Sequence, residues 1–75
     1  MYLSCLNRQQ ISEEQAKSIA LQRVRGRVVH VDLEIKDGIL IYEVIVVTPK
    51  NKIYEIDIHA NTGQILKVEK ENDYD

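Results

Sequence analysis

The chain has 75 residues, of which 44% are hydrophobic, and it carries a formal net charge of −2 at pH 7. This length allows one small domain with a thin core, and the mixed charge argues against a surface built for nucleic acid or an anionic membrane. The single Cys excludes a disulfide within the chain. No stretch reaches the ~18 apolar residues of a membrane span, so we expect no direct membrane insertion.

The first ten residues follow neither a helical nor a strand period, and we interpret residues 1–10 as an N-terminal extension. Within it, Leu3-Ser4-Cys5 is similar to the site at which bacterial lipoproteins are cleaved and lipidated, although the apolar segment that should precede such a site is missing. The alternative is a free thiol on a loose end. We expect no thiol catalysis, because no His has a predictable approach to Cys5.

A helix is predicted over residues 11–25. Ser12 is a suitable N-cap, and Gln15 three positions later completes a capping box. Gly26 is predicted to end the helix in the left-handed conformation. One apolar stripe at helical spacing should face the core, and it consists of Ala16, Ile19, Ala20 and Val24.

Four strands are predicted after the helix, over residues 28–36, 39–47, 53–59 and 65–69. Asp37-Gly38 is typical of a type I′ hairpin turn, and the next two loops offer Asn51 and Gly63 for left-handed positions. Alternation then assigns one side of the sheet to the core. The predicted core-facing residues are Val29, Val31, Leu33, Ile35, Leu40, Tyr42, Val44, Val46, Tyr54, Ile56, Ile58, Leu66 and Val68, and Ile65 is predicted to point outward.

The predicted fold class is therefore α+β. One N-terminal helix should pack on one face of a four-stranded antiparallel β-meander, in the cystatin-like order α-β-β-β-β. Residues 11–70 form this domain, and the polar residues 71–75 are predicted to be a flexible C-terminal tail.

Following the predicted register sideways gives three rows on the outward face. They are Asp32–Glu43–Asp57–Lys67, His30–Ile45–Glu55–Glu69 and Glu34–Ile41–His59–Ile65. Like charges that face each other across strands are unfavourable. Three explanations for the acidic row stay open: a bound cation, a basic group of a partner, or a solvated face on which the repulsion is screened.

The outward face also carries Ile residues between its charges, a composition that favours contact with another protein. The predicted contact face consists of Asp32, Ile41, Glu43, Ile45, Glu55, Asp57 and His59. An exposed edge strand could also pair with a second copy, and we expect a homodimer. No catalytic, cofactor-binding or metal-ligating residue is predicted, because His30 and His59 fall on different rows without a third ligand.

The sequence resembles the PepSY domain family, named for peptidase propeptides and YpeB-like domains. The stretches that carry the resemblance are 11-ISEEQA-16, Ile19-Ala20, Tyr42-Glu43-Val44 and 54-YEIDIHANTGQIL-66. The resemblance implies a non-enzymatic, protein-binding domain that inhibits or regulates a secreted or cell-surface peptidase of the thermolysin-like class. It also implies an extracellular or cell-envelope location. The alternative is a self-associating structural or sensory module without a peptidase partner.

Overall fold

In the computed structural model, which describes residues 10–73 and their side chains through Glu71, one α-helix precedes four antiparallel strands. The elements are α1 (Glu13–Arg23), β1 (Arg27–Lys36), β2 (Ile39–Val47), β3 (Lys52–His59) and β4 (Ile65–Asp73). The strand order β1-β2-β3-β4 confirms the predicted meander. The predictions for Cys5 lie outside the described residues.

Helix α1 begins at the predicted capping box. The Ser12 hydroxyl accepts a hydrogen bond from the Gln15 backbone N–H at 3.0 Å, and the Gln15 side chain accepts one from the Ser12 N–H at 2.7 Å. These two bonds satisfy backbone donors that the first turn of a helix leaves free. Ala16 and Ala20 are fully buried, and their small side chains allow the helix to lie close to the sheet.

The predicted left-handed cap at Gly26 is wrong. The helix ends at Arg23, and Val24 already has an extended backbone with φ −128°. Gly26 is required for a different reason: a Cβ at this position would lie 2.4 Å from the carbonyl oxygen of Val47. The connection into β1 therefore passes too close to β2 for any side chain.

The turns agree with the predictions from the sequence. Asp37 and Gly38 have φ values of 51° and 79°, as a type I′ turn requires. Asn51 and Gly63 also adopt positive φ, at 61° and 82°, in the two loops where this was predicted. These conformations fix the hairpin registers and hence the rows of side chains on each face.

Two β-bulges change which side chains face the core, compared with the prediction. In β1 the register shifts between Val28 and His30, so that Val28 packs against the core and Val29 is exposed. In β4, Ile65 pairs with Ile58 and packs against the core, whereas Leu66 is the extra residue and is exposed. The predictions of Val29 and Leu66 in the core and of Ile65 outside it were wrong, because one inserted residue exchanges the faces.

The edges of the sheet also differ from the prediction. Leu33 and Ile35 pair with Tyr42 and Leu40 on the helix side, but Ile35 is 70% exposed and Leu33 is exposed too. At the other edge, β4 continues to Asp73, which pairs with Lys52, so that residues 71–73 belong to the sheet. Within residues 10–73, no helix has the length and apolar character needed to cross a membrane.

Candidate functional site

The sheet has one face turned away from α1, which we call the open face. Among the described residues, no helix or second sheet packs against it. The rows Asp32–Glu43–Asp57–Lys67 and His30–Ile45–Glu55–Glu69 are confirmed by the strand register. Glu34, Ile41 and His59 also align as predicted, but Ile65 does not join them. The seven residues of the predicted contact face therefore share the open face.

Two acids on this face have little contact with solvent. Glu55 is 8% exposed and Asp57 is 5% exposed, although no element within residues 10–73 covers them. Together with Glu43 they form what we call the carboxylate cluster, in which one oxygen from each side chain lies within 4.8 Å of the other two. Burying like charges so close together is unfavourable unless cations or protons compensate for them.

Two lysines supply part of this compensation. Lys36 Nζ lies 3.1 Å from a Glu55 carboxylate oxygen and 3.3 Å from Asp57 Oδ2. Lys67 Nζ lies 3.4 Å from Glu55, 3.8 Å from Asp57 and 3.1 Å from Glu69. The register predicted Lys67 beside Asp57, but Lys36 was not predicted as a site residue, because it reaches from β1 across β2 to β3.

The pKa values of the three carboxyls in the carboxylate cluster do not all shift in the same direction. Burial raises the pKa of Asp57, and its hydrogen bonding with Glu55 raises it further. Burial also acts to raise the pKa of Glu55, but hydrogen bonds with Asp57 and Lys36 and the charge of Lys67 outweigh it and lower that pKa. Asp57 therefore holds a proton more readily than Glu55 does. A hydrogen bond with Glu34, followed by burial, raises the pKa of Glu43 to about 7.

One atom in the cluster lacks a hydrogen-bond partner among the described residues. Asp57 Oδ1 is buried and accepts no hydrogen bond from residues 10–73, whereas Oδ2 faces the two ammonium groups. Buried polar atoms are normally satisfied, so an unpaired one requires an explanation. Asp57 Oδ1 can therefore still accept a proton or a hydrogen bond.

The open face as a whole is acidic. Among the described residues, seven carboxylates lie on it, against the Lys or Arg side chains of Arg27, Lys36 and Lys67 and the imidazoles of His30 and His59. The acids are Asp32, Glu34, Glu43, Glu55, Asp57, Glu69 and Glu71. Carboxylate oxygens suit a hard cation such as Ca²⁺, but the ammonium groups of Lys36 and Lys67 already lie against the carboxylate cluster.

A pocket of about 210 Å³ opens beside the cluster. Asp37, Asp57 and the two lysines line one part of it, and the apolar part consists of Ile39, Ile41 and Leu66. Ile41 is buried, whereas Ile39 and Leu66 are exposed. Leu66 was missed by the sequence reasoning, since only the bulge in β4 brings it to this face.

His59 is the member of the predicted contact face with a local structural role. Its Nδ1 accepts a hydrogen bond from the backbone N–H of Asn61 at 3.1 Å, inside the turn between β3 and β4. This bond holds the imidazole against its own turn.

Comparison with known proteins gives a family and three relatives. Residues 10–69 match the family described as "Peptidase propeptide and YPEB domain", or PepSY. Two proteins of Bacillus subtilis (strain 168) are similar over most of the chain: "Uncharacterized membrane protein YkoI" is 38% identical over 77% of this chain and 26% of the relative, and "Uncharacterized protein YkoJ" is 37% identical over 79% and 35%.

A solved structure is also similar. It is the crystal structure of a "putative lipoprotein" from Clostridium difficile 630, with a TM-score of 0.79 and 30% identity, and it is matched over 84% of this chain and 41% of that one. The chain therefore spans less than half the length of each of these three relatives.

Proposed function

Since the chain belongs to the PepSY family, we propose that it is a non-catalytic module that binds another protein through the open face of its sheet. The partner class that we propose is a secreted or cell-surface peptidase, whose activity the module restrains. The family description, with its reference to peptidase propeptides, supports this partner class.

The observation that carries the proposal is the composition of the open face. It combines a surplus of carboxylates with exposed apolar side chains such as Ile39 and Leu66, and no described element covers it. An interface of this kind gains free energy from apolar burial, while its charges select a partner of opposite sign. We therefore expect the partner to present a basic surface.

We propose a cell-envelope location for the protein. One relative carries the name of a membrane protein, and the protein in the similar crystal structure is called a "putative lipoprotein". An envelope protein would meet secreted peptidases directly. Fractionation of cells that produce the full-length natural protein tests this location, and recovery in the cytosolic fraction alone would contradict it.

The binding proposal is tested by titrating the chain into a panel of thermolysin-like metallopeptidases. Residual activity and the mass of the complex are read together. We expect inhibition at a defined stoichiometry without cleavage of the module. Rapid digestion, or no complex with any member of the panel, would count against the peptidase as the partner class.

Two matched variants locate the contact. Ile39 on the open face is 40% exposed and Leu21 on the helix is 38% exposed, so Ile39→Lys and Leu21→Lys make the same change at equally accessible positions. The Ile39→Lys variant should weaken the complex by placing a positive charge opposite a basic partner. Leu21→Lys should leave it intact, and the reverse result would move the interface to the helix.

A second candidate function is self-association through the edge of the sheet. Strand β1 is an edge strand, and it exposes Leu33 and Ile35 beside backbone groups that face no other described strand. Such an edge can pair with that of a second copy. Sedimentation equilibrium tests this: a monomer at high micromolar concentration would rule it out, and a dimer that Ile35→Lys dissociates would support it.

A further inference from the structure

We infer that the pocket beside the carboxylate cluster receives an arginine side chain from the protein partner. Its aliphatic stem would lie on Ile39, Ile41 and Leu66, and its guanidinium would reach Asp57. This inference rests on the proposed function as a protein-binding module, and it names the chemical group that the open face recognises.

Asp57 carries an acceptor that no described donor satisfies. Asp57 lines the pocket and is 5% exposed, and its Oδ1 accepts no hydrogen bond from the part of the chain that the structure describes. The ammonium groups of Lys36 and Lys67 are directed to Glu55, Glu69 and the other oxygen of Asp57. What the site lacks is a donor, so a ligand that brings donors fits better than one that brings acceptors.

The size and lining of the pocket fit one long side chain. Its volume of about 210 Å³ is smaller than the ~300 Å³ at which pockets for whole small-molecule ligands begin, so it suits a single long side chain. An apolar wall beside a charged end matches a side chain that has an aliphatic stem and a cationic head. Among such side chains, Arg is the more weakly hydrated and presents a planar fork of donors that fits carboxylates.

The surroundings of the pocket are rich in negative charge. The open face keeps a surplus of carboxylates even with its own basic side chains counted. The side chains of Lys36 and Lys67 are 36% and 44% exposed, so their ammonium groups can swing into solvent when another cation arrives. The guanidinium would thus take over contacts that the lysines make in the free domain.

A proton competes for the same acceptor. The pKa of Glu43 is raised to about 7, the pKa of Asp57 is raised as well, and Glu34 faces the same region. Protonation of the carboxylate cluster as the pH falls through 7 removes negative charge from the site, so guanidinium binding weakens. This pH dependence reports on the carboxylate cluster itself, because Glu43 and Asp57 are the carboxyls of the open face whose pKa is raised.

The experiment is an NMR titration of the isotope-labelled full chain with n-butylguanidinium, a probe that carries the stem and head of Arg without a peptide. We expect saturable shifts at Ile39, Ile41, Asp57 and Leu66, with a dissociation constant on the order of millimolar, as befits a ligand of few atoms. Affinity should fall between pH 8 and pH 5. Butyrate, with a propyl stem and the opposite charge, should give no saturable shift.

Variants test the two halves of the pocket. Asp57→Asn keeps the shape of the side chain and should weaken binding about tenfold or more, because it removes the charged acceptor. Leu66→Thr should weaken binding less, through the loss of stem contacts at an exposed position that the fold tolerates. Glu14→Gln, which removes one charge on the helix, is the matched control and should bind as the parent does.

Several results would overturn the inference. These are the absence of a saturable shift, equal binding by Asp57→Asn, stronger binding of butyrate, or saturable binding of Ca²⁺ at the same residues in the absence of guanidinium binding. If no peptidase forms a complex but butylguanidinium still binds at Asp57, only the proposed partner class fails. If a complex forms through the open face without guanidinium binding, only the inferred arginine pocket fails.

Discussion

Replacement of Glu43 by Gln should change how the stability of the domain depends on pH. In the folded protein, the pKa of Glu43 rises from 4.5 to about 7, because of its hydrogen bond with Glu34 and its partial burial. The folded state therefore binds more protons than the unfolded state between these two values, and folding stability falls as the pH rises through this window. Gln is uncharged at every pH and abolishes this dependence.

The magnitude follows from the size of the shift. A fully buried group with this pKa change would destabilise the fold by about 3 kcal/mol above pH 7. Glu43 is only half-buried, so solvent screening reduces the expected effect to about 1 kcal/mol. For a domain of this size, 1 kcal/mol corresponds to roughly 4–8 °C in Tm. Glu43→Gln should thus raise Tm by roughly this amount at pH 8 and hardly at all at pH 4.

The assay is thermal unfolding followed by circular dichroism at several pH values between 4 and 8.5. The parent chain, Glu43→Gln and the helix variant Glu14→Gln are compared under the same conditions. In a plot of Tm against pH, only Glu43→Gln should show a flatter course than the parent between pH 4.5 and 7. Parallel curves for the parent and Glu43→Gln, or a parent that gains stability toward pH 8 relative to this variant, would refute the reasoning about the cluster.

Three further predictions concern the fold and use the free energy of unfolding in urea as the measurement. Gly26→Asn should destabilise the domain by about 3 kcal/mol or prevent folding, whereas Gly38→Asn should cost little because Asn accepts positive φ. A similar small cost at both positions would restore the left-handed cap as the role of Gly26. Ser12→Ala should cost about 1 kcal/mol by removing the N-cap, and a neutral result would show that the capping box does not hold the helix. Ile56→Ala should cost about 2–5 kcal/mol because Ile56 is fully buried, while Ile35→Ala should stay within about 0.5 kcal/mol at its exposed edge position. Equal costs for the two would contradict the assigned core.

Local sequence signals determined the elements of this protein. The capping box at Ser12 set the start of the helix, and the turn residues Asp37, Asn51 and Gly63 set the ends of the strands. Alternation within the strands then fixed most of the pairing, including the row Asp32–Glu43–Asp57–Lys67. These features can be predicted from the sequence because each depends on the conformational preferences of residues close together in the chain.

The tertiary structure decided which side chains meet. The bulges that expose Val29 and Leu66 depend on how neighbouring strands match, and a single strand carries no clear signal for them. The approach of Gly26 to Val47 likewise joins distant parts of the chain.

In the carboxylate cluster, too, the sequence determined one part of the arrangement and the tertiary structure the other. The sequence placed Glu55 and Asp57 on the outward face, but their burial and their contacts with Lys36 arise only when β1, β3 and β4 come together in space. Local pattern thus determined the faces of the sheet, whereas the environment of each charge depends on side chains from strands distant in the sequence, which only folding brings into contact.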